Sequence, residues 1–373
     1  MLSRDQIALI GLLEEAGRQY GVEVYAVGGM VRDLLRNDFH DRDLDFVVEG
    51  NAIEFASNIS RLLGGTSREF GRFGTAKVIE LPAELDYTEV DFATARTERY
   101  TCPGALPEVS ASSIESDLAR RDFTINAMAL PVAALCDWTA IEAPSAEDLR
   151  SQVLDQFDGL KDLDQRCIRW LHPQSFVDDP TRMFRACRYS ARINGALSSD
   201  TEQGLHTALD ADVLSTISIY RMRREWEHVF NEANPAAVLE RAAALKLLQA
   251  AMGTKESHYA EEVLHLAAAV FQSLALSSKC FSADFFSMLG ALILLTPLDQ
   301  TARQNFLTHA QYKKSERHWL EIELQKVIQA RDELTLPGEG SLASLLLLNG
   351  FIPRGEKMEQ FQDDVRSELA KCL

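Results

Sequence analysis

Apolar positions change their period along the chain, and that change divides it. Over residues 4–19 Ile, Leu and Ala recur at helical spacing, which predicts an amphipathic helix. The stretches VEVYAV (22–27), DLDFVV (43–48), TAKVIEL (75–81) and TEVDFATA (88–95) are short and rich in β-branched residues, which predicts strands. MVRDLLR (30–36) between them returns to a helical period. Up to about residue 135 helices and strands therefore mix, as in an α/β or α+β domain. From about residue 145 the strand pattern fades. Segments such as PTRMFRACRYSARI, YRMRREWEHVFNEA and PAAVLERAAALKLLQAA predict helices, with joints at 198–200, 233–235 and 336–341. No fixed-period repeat is present. The most apolar run, 285–295, is far shorter than the ~20 residues a bilayer requires and predicts a buried core helix.

Composition narrows the class. With 373 residues, 46% hydrophobic and 25% charged, the chain can bury a large core and is expected to form two or three globular units. Its six cysteines contain no CxxC pair and the amino terminus is charged, so we expect neither a disulfide framework, a zinc knuckle nor a signal peptide, and a reducing, cytoplasmic setting. The net charge of −18 repels polyanions at long range. Yet residues 166–192 hold six arginines (166, 169, 182, 185, 188 and 192) against two acids, a basic island in an acidic chain.

Three constellations carry chemistry. In YAVGGMVRDLLR, Gly28 and Gly29 separate a strand from a helix, where backbone N–H groups and the positive helix end can approach a phosphate; Arg32 adds a cation one turn in. The same constellation continues in DRDLDFVV, where carboxylates alternate with apolar residues and Asp43 lies 14 residues after Gly29. Strand side chains of equal parity share a face about 6.5–7 Å apart. Two such carboxylates can hold a pair of Mg²⁺ ions about 3.5–4 Å apart for phosphoryl transfer. Asp41 shares the parity of Asp43 and Asp45, so spacing leaves open which two serve. Asp91, in TEVDFATAR, is a third candidate, to activate an attacking hydroxyl or complete a metal shell. The plain alternatives are a tight turn and a solvated strand edge. ARRDFTINAMAL (119–130) reads locally as a helix capped by Asp122 or Thr124, with Phe123, Ile125, Met128 and Leu130 packed inward. In the third, VDDPTRMFRACRYSARI, Asp179 suits an N-cap and Pro180 the first helical turn. The four arginines at 182–192 have no acid among them and call for an external anion or acids from elsewhere in the chain.

VGGMVRDLL followed by DRDLDFVV resembles the signature of the class II tRNA nucleotidyltransferases and bacterial poly(A) polymerases, within the polymerase-β-like superfamily. RRDFTINA resembles the family's RRDFTxNA motif, and DDPTR its EDxxR motif, with Asp178 standing where the pattern has Glu. The resemblance covers about residues 21–235. It implies an α+β fold: a polymerase-β-like head with a small mixed sheet (1–140), then a helical neck (141–200), body (201–270) and tail (271–373). It implies catalysis by Asp43, Asp45 and Asp91, with Mg²⁺ on Asp43 and Asp45. Nucleotide binding would fall to Gly28, Gly29, Arg32, Arg121, Asp122 and Asn126. Asp179 and Arg182 would read the base of CTP or ATP, and Arg185 and Arg188 would contact phosphates. Cytosine and adenine each set an amino donor beside an acceptor nitrogen, matching a carboxylate beside a guanidinium. The implied activity adds CMP or AMP to a tRNA 3′ end and releases pyrophosphate. CCA addition, CC-only addition, A-only addition and poly(A) synthesis all share these motifs. The segment 96–117 lies where the family has a flexible loop and is not visibly shortened. Asp158, Gly159, Asp162 and Leu163, or Asp155, match a D-x-x-G element read as structural. A non-catalytic RNA-binding module is the alternative of a different class. We expect no membrane association and no appended His-Asp phosphohydrolase domain, since the single His-Asp pair, His40 and Asp41, lies inside the first motif.

Overall fold

Ser3 starts the first helix, α1 (Arg4–Tyr20), with a capping box: its hydroxyl accepts from Gln6 N at 3.0 Å while the Gln6 side chain accepts from Ser3 N at 3.0 Å. Gly21, at φ +67°, ends it in the left-handed conformation that favours glycine. These elements belong to a computed structural model, which describes residues 2–39, 43–139, 145–256, 258–275 and 283–333. The chain divides into two units, Met1–Asp179 with Gly195–Thr201, and Pro180–Asn194 with Glu202–Leu373.

The first unit is α+β. Its strands are β1 (Glu23–Val27), β2 (Asp43–Glu49), β3 (Thr66–Phe70), β4 (Thr75–Ile79), β5 (Glu89–Thr94), β6 (Arg96–Arg99), β7 (Glu108–Ala111), β8 (Met128–Pro131), β9 (Leu154–Asp155), β10 (Cys167–Ile168) and β11 (Ala196–Leu197). Seven of them form a mixed sheet in the order β3-β4-β5-β2-β1-β8-β9, in which β2 and β5 run parallel. Further helices are α2 (Gly29–Leu35), α3 (Ala52–Leu63), α4 (Ile114–Ala119), α5 (Val132–Thr139), α6 (Ala146–Arg150), α7 (Gly159–Asp164) and α8 (Ser175–Asp178).

Alternation along the strands assigns the two sheet faces. Leu44, Phe46, Val48, Val90 and Phe92 are buried on one, where Phe92 stacks on Phe46 (5.9 Å between centroids) and meets Phe55 of α3 edge-on (5.5 Å). On the other face Tyr25, Val27, Val47 and Ala129 pack with Ala95 and with Ile114 and Leu118 of α4. That second face also carries the odd-numbered polar residues of β2, β4 and β5.

The second unit is helical: α9 (Arg182–Arg192), α10 (Ser199–Asp210), α11 (Ile219–Phe230), α12 (Pro235–Ala244), α13 (Leu247–Met252), α14 (Tyr259–Ala275), α15 (Ala283–Leu295), α16 (Gln300–His309) and α17 (Lys314–Glu333). Phe184 of α9 meets Trp226 of α11 edge-on at 5.0 Å. The apolar run at 285–295 falls in α15, where Leu289, Leu292, Ile293, Leu294 and Leu295 are buried, as expected of a core helix.

Three local expectations are corrected. The helix read at 122–130 is a single 3₁₀ turn, Thr124–Asn126, followed by strand β8, because pairing with β1 (Tyr25↔Pro131, Val27↔Ala129) takes the backbone. Its inward residues are as expected, with Phe123, Ile125, Met128 and Leu130 all fully buried. Asp179 does not cap the next helix. It ends α8 in extended backbone (φ −136°, ψ 97°), the conformation a following proline imposes, and α9 begins at Arg182 after Thr181. Short strands also occur beyond residue 145, at β9, β10 and β11. The segments SLASLLLLNGF and GEKMEQFQDDVRSELAKCL, expected as packed helices, lie outside the described residues.

Candidate active site

The glycine turn closes directly onto the RRDFT segment. Gly28, at φ +62°, donates its N–H to Met128 O (3.2 Å) and accepts from Arg32 N (3.0 Å), so it joins β1 to α2 and pins both to β8. A Cβ at Gly28 would lie 2.9 Å from Arg121 Nη1, so the missing side chain makes room for a guanidinium. Gly29 is the first residue of α2.

Arg32 is buried, at 1% exposure, rather than projecting from the turn. Its Nε and Nη2 donate to the two Asp33 oxygens, each at 2.8 Å, and its Nη1 donates to Asn126 Oδ1 at 2.8 Å. Asn126 Nδ2 donates in turn to Asp122 Oδ1 (3.2 Å), which also accepts from Phe123 N (2.8 Å). A relay running from half-buried Asp33 through buried Arg32, Asn126 and Asp122 thus ties the glycine turn to the RRDFT segment. Hydrogen bonds to Arg32 and to Asp122 Oδ1 offset part of the cost of burying these charged groups.

Asp117 anchors the two arginines of that segment. Fully buried, it accepts from Arg120 Nε and Nη2 (3.0 and 2.6 Å) on one oxygen and from Arg121 Nε and Nη2 (3.2 and 2.9 Å) on the other. Burial pushes its carboxyl pKa up, but Arg121 and Arg120 outweigh that and hold it below the ordinary value. Arg121 is left with Nη1 near the Gly28 turn, 3.4 Å from Asn126 O. Sequence reading missed Asp117, although an acid three and four residues before two arginines is a helical pairing signal.

Beside the turn, register creates a row of charge. Asp45 pairs with Asp91 across the parallel strands β2 and β5, and Asp43 pairs with Glu89 one step earlier. Directly paired residues point to the same face, so Asp91 shares the face of Asp45. Asp45 is exposed; Asp43 opens β2, and its side chain, like residues 40–42 with Asp41, lies outside the described residues. Lys77 of β4, in register with Asp91, donates to Asp91 Oδ2 at 2.7 Å and to Glu89 Oε1 at 2.6 Å. Burial alone would lower the Lys77 pKa; its hydrogen bonds to Asp91 and Glu89, with their charges, outweigh this and raise it. Neither Lys77 nor Glu89 was singled out from sequence.

These are hard oxygen donors, the chemistry that suits Mg²⁺. Among the described residues, which leave out the Asp43 side chain, no group of three or more His, Cys, Asp or Glu side chains is placed to hold a metal ion.

Asp155 and Asp162 act as the structural reading of their motif expected. Asp155 accepts from Gly159 N (2.7 Å) and Leu160 N (2.9 Å), capping α7, while buried Asp162 accepts from Thr124 Oγ1 (2.7 Å) and Arg169 Nε (2.9 Å). Asp178 Oδ2 lies 4.0 Å from His172 Nε2, and Asp179 closes the first unit.

In the second unit, Arg182 is buried at the start of α9. Arg185, Arg188 and Arg192 surround the Tyr189 ring at 5.8, 6.0 and 5.8 Å. Glu232 answers the absence of acids on α9, accepting from Arg188 Nε at 2.8 Å and Arg192 Nη2 at 2.7 Å.

A parallel pair of strands thus presents carboxylates beside a glycine turn and an anchored arginine. Residues 24–169, most of the first unit, match the family model of the poly A polymerase head domain. The A-adding tRNA nucleotidyltransferase of Aquifex aeolicus (strain VF5) is 36% identical over 288 residues, 77% of this chain and 32% of that protein. The A-adding tRNA nucleotidyltransferase of Halalkalibacterium halodurans is 34% identical over 254 residues, 68% of this chain and 55% of that protein. The chain thus spans a third to just over half of the length of these curated relatives. A solved tRNA nucleotidyltransferase, complexed with a primer tRNA and an incoming ATP analog, shares the fold with a TM-score of 0.67 at 27% identity, over 96% of this chain and 98% of that one. Among the described residues no helix is long and apolar enough to cross a membrane.

Proposed function

We propose that the protein is a template-independent RNA nucleotidyltransferase that adds AMP, CMP or both from ATP and CTP to the 3′ end of tRNA. The observation that carries the reading is the register that sets Asp45 beside Asp91, next to the Gly28 turn and Arg121, within residues that match the poly A polymerase head domain. Asp43 and Asp45, with Asp91 as third carboxylate, would hold Mg²⁺, whose chemistry is to stabilise charge on the attacking and leaving oxygens. The Gly28 and Gly29 turn and Arg121 receive the triphosphate; Arg32, Asn126 and Asp122 hold that turn in place. Asp179 and Arg182 select the base, and Arg185 and Arg188 contact phosphates. The RNA 3′-hydroxyl oxygen bonds to the α-phosphorus as the bond to the bridging oxygen of pyrophosphate breaks, and the hydroxyl proton leaves toward the carboxylates. The helical remainder, as neck, body and tail, carries the tRNA.

The names of the Aquifex and Halalkalibacterium relatives favour A addition as a specialisation within this reading. Purified protein incubated with tRNA transcripts ending in N, C and CC, with ATP and CTP singly, separates the cases. Extension of the CC end alone, by A alone, marks an A-adding enzyme; C then A addition marks a CCA-adding one. Asp45→Ala should lower incorporation at least a hundredfold, and full activity in that variant would remove the assignment.

A further inference from the structure

The charged row does not end at Lys77. Arg68 of β3 is in register with Lys77, as Lys77 is with Asp91 and Asp91 with Asp45. Paired residues share a face, so Arg68, Lys77, Asp91 and Asp45 run across the sheet as two cations followed by two carboxylates. Neighbouring strands lie about 4.8 Å apart, which puts the β3 backbone roughly 10 Å from that of β5. Two residues along β3, on the same face, is Phe70, and the Arg68 guanidinium lies 5.5 Å from its ring centroid. The motif repeats at once: in the 3₁₀ turn Gly71–Phe73, Arg72 lies 5.5 Å from the Phe73 ring.

Three features set this patch apart. Phe70 is 37% exposed, and no other phenylalanine among the described residues is as exposed. Arg68 and Arg72 are exposed and form no ion pair with a described residue; Arg4, Arg61, Arg99 and Arg166 of the same unit share that state, but only Arg68 and Arg72 among them lie against an aromatic ring. In a chain of net charge −18, unneutralised arginines laid on aromatic rings are an exception that packing does not require. The nearby acids are committed or turned away: Glu80 accepts from Thr66 Oγ1, Glu89 is paired with Lys77, and alternation puts Glu69 on the opposite face. β3 is also one of the two edge strands of the sheet.

We propose that Arg68 and Phe70 form a subsite for single-stranded RNA, holding the acceptor strand just upstream of its reacting 3′ end. Arg68 takes a backbone phosphate and Phe70 stacks a base, with Arg72 and Phe73 repeating the arrangement one step further on. Single-stranded binding surfaces combine these two elements, cations along the backbone and aromatic faces under the bases. The cationic end of the row orients the polyanion so that its terminus meets the carboxylate end. The proposal rests on the nucleotide-adding reading of the same site and extends it to the acceptor.

The test uses the full chain as wild type, Arg68→Ala, Phe70→Ala, and the control Arg61→Ala on the exposed side of α3. Binding of a fluorescent CC-ended single-stranded RNA is measured by anisotropy across a salt series, alongside KM values for tRNA and for ATP. Phe70→Ala should weaken RNA binding about 5- to 150-fold, the range of one lost base stack. Arg68→Ala should weaken it and lower the slope of log affinity against log salt by about 0.7, one phosphate contact. KM for ATP should stay at the wild-type value in both, and Arg61→Ala should match wild type throughout. Unchanged RNA affinity and tRNA KM in both variants, with wild-type incorporation intact, would overturn the subsite while leaving the proposed function standing. Lost RNA binding in the variants of a protein whose wild type incorporates no nucleotide would uphold the surface and overturn the function.

Discussion

Replacing Asp117 by Asn tests how the head holds its arginines. The change keeps shape but removes the charge facing two guanidinium groups, and it turns one acceptor into an N–H donor aimed at other donors. Asp117 accepts five hydrogen bonds: two each from Arg120 and Arg121 and one from Arg96 N at 3.3 Å. It is fully buried, so water cannot replace what is lost. Removing one partner of a buried ion pair costs about 3–5 kcal/mol, and we expect the head to lose that much at pH 7. The folded carboxyl is held below its ordinary pKa by Arg121 and Arg120 acting against burial. Its contribution is therefore fully present above an unfolded value of about 3.9 and lost as pH falls through the lower folded value. The gap between wild type and Asp117→Asn should accordingly be widest near neutrality and narrow below about pH 4. Urea unfolding read by amide exchange in peptides from 89–130 follows the head separately from the helical unit. A deficit below about 1 kcal/mol at pH 7, or one that does not shrink in acid, would refute the anchoring role. KM for the nucleotide should rise with the loss, because Arg121 is no longer fixed beside Gly28.

Two glycines test the same junction from the backbone side. Gly28→Ala must hold an L-residue at φ +62°, ψ −121°, outside the left-handed helical region, at a cost of about 1–3 kcal/mol, with its Cβ 2.9 Å from Arg121 Nη1; nucleotide KM should rise at least tenfold in steady-state assays while tRNA KM stays put. Gly159→Ala drives a Cβ into Thr124 O and to 2.8 Å from Met128 Cγ. Overpacking of this kind costs about 1–3 kcal/mol, which the same amide-exchange readout should detect as weaker protection around 124–130.

Local signals placed several elements of the head within a residue or two: α1 at 4–20, β1 at 23–27, β2 at 43–49 and β5 at 89–94 against expected spans of 4–19, 22–27, 43–48 and 88–95. They failed where a distant partner overrides the local pattern. Residues 128–130 fit an inward helical stripe equally well as a strand, and β1 decided between them. At Asp179 the capping preference lost to the proline after it, which forces extended backbone. The loop expected at 96–117 holds the β6–β7 hairpin and α4, short elements whose periods are too brief to read.

From the order of its residues alone, the chain determined which chemical groups exist and the local turns that display them: a glycine pair after a strand, alternating carboxylates, and an RRDFT segment rich in charge. Only the tertiary structure decided which of these groups meet. Strand register joins Asp45 to Asp91 across 46 residues of chain, inserts Lys77 beside Asp91, and carries the row out to Arg68. The fold also buries Arg32 on Asn126, 94 residues away, where its sequence position suggested a free cation. Side-chain period is a property of one strand or helix, whereas register and burial belong to pairs of elements brought together by the core, so no local pattern contains them.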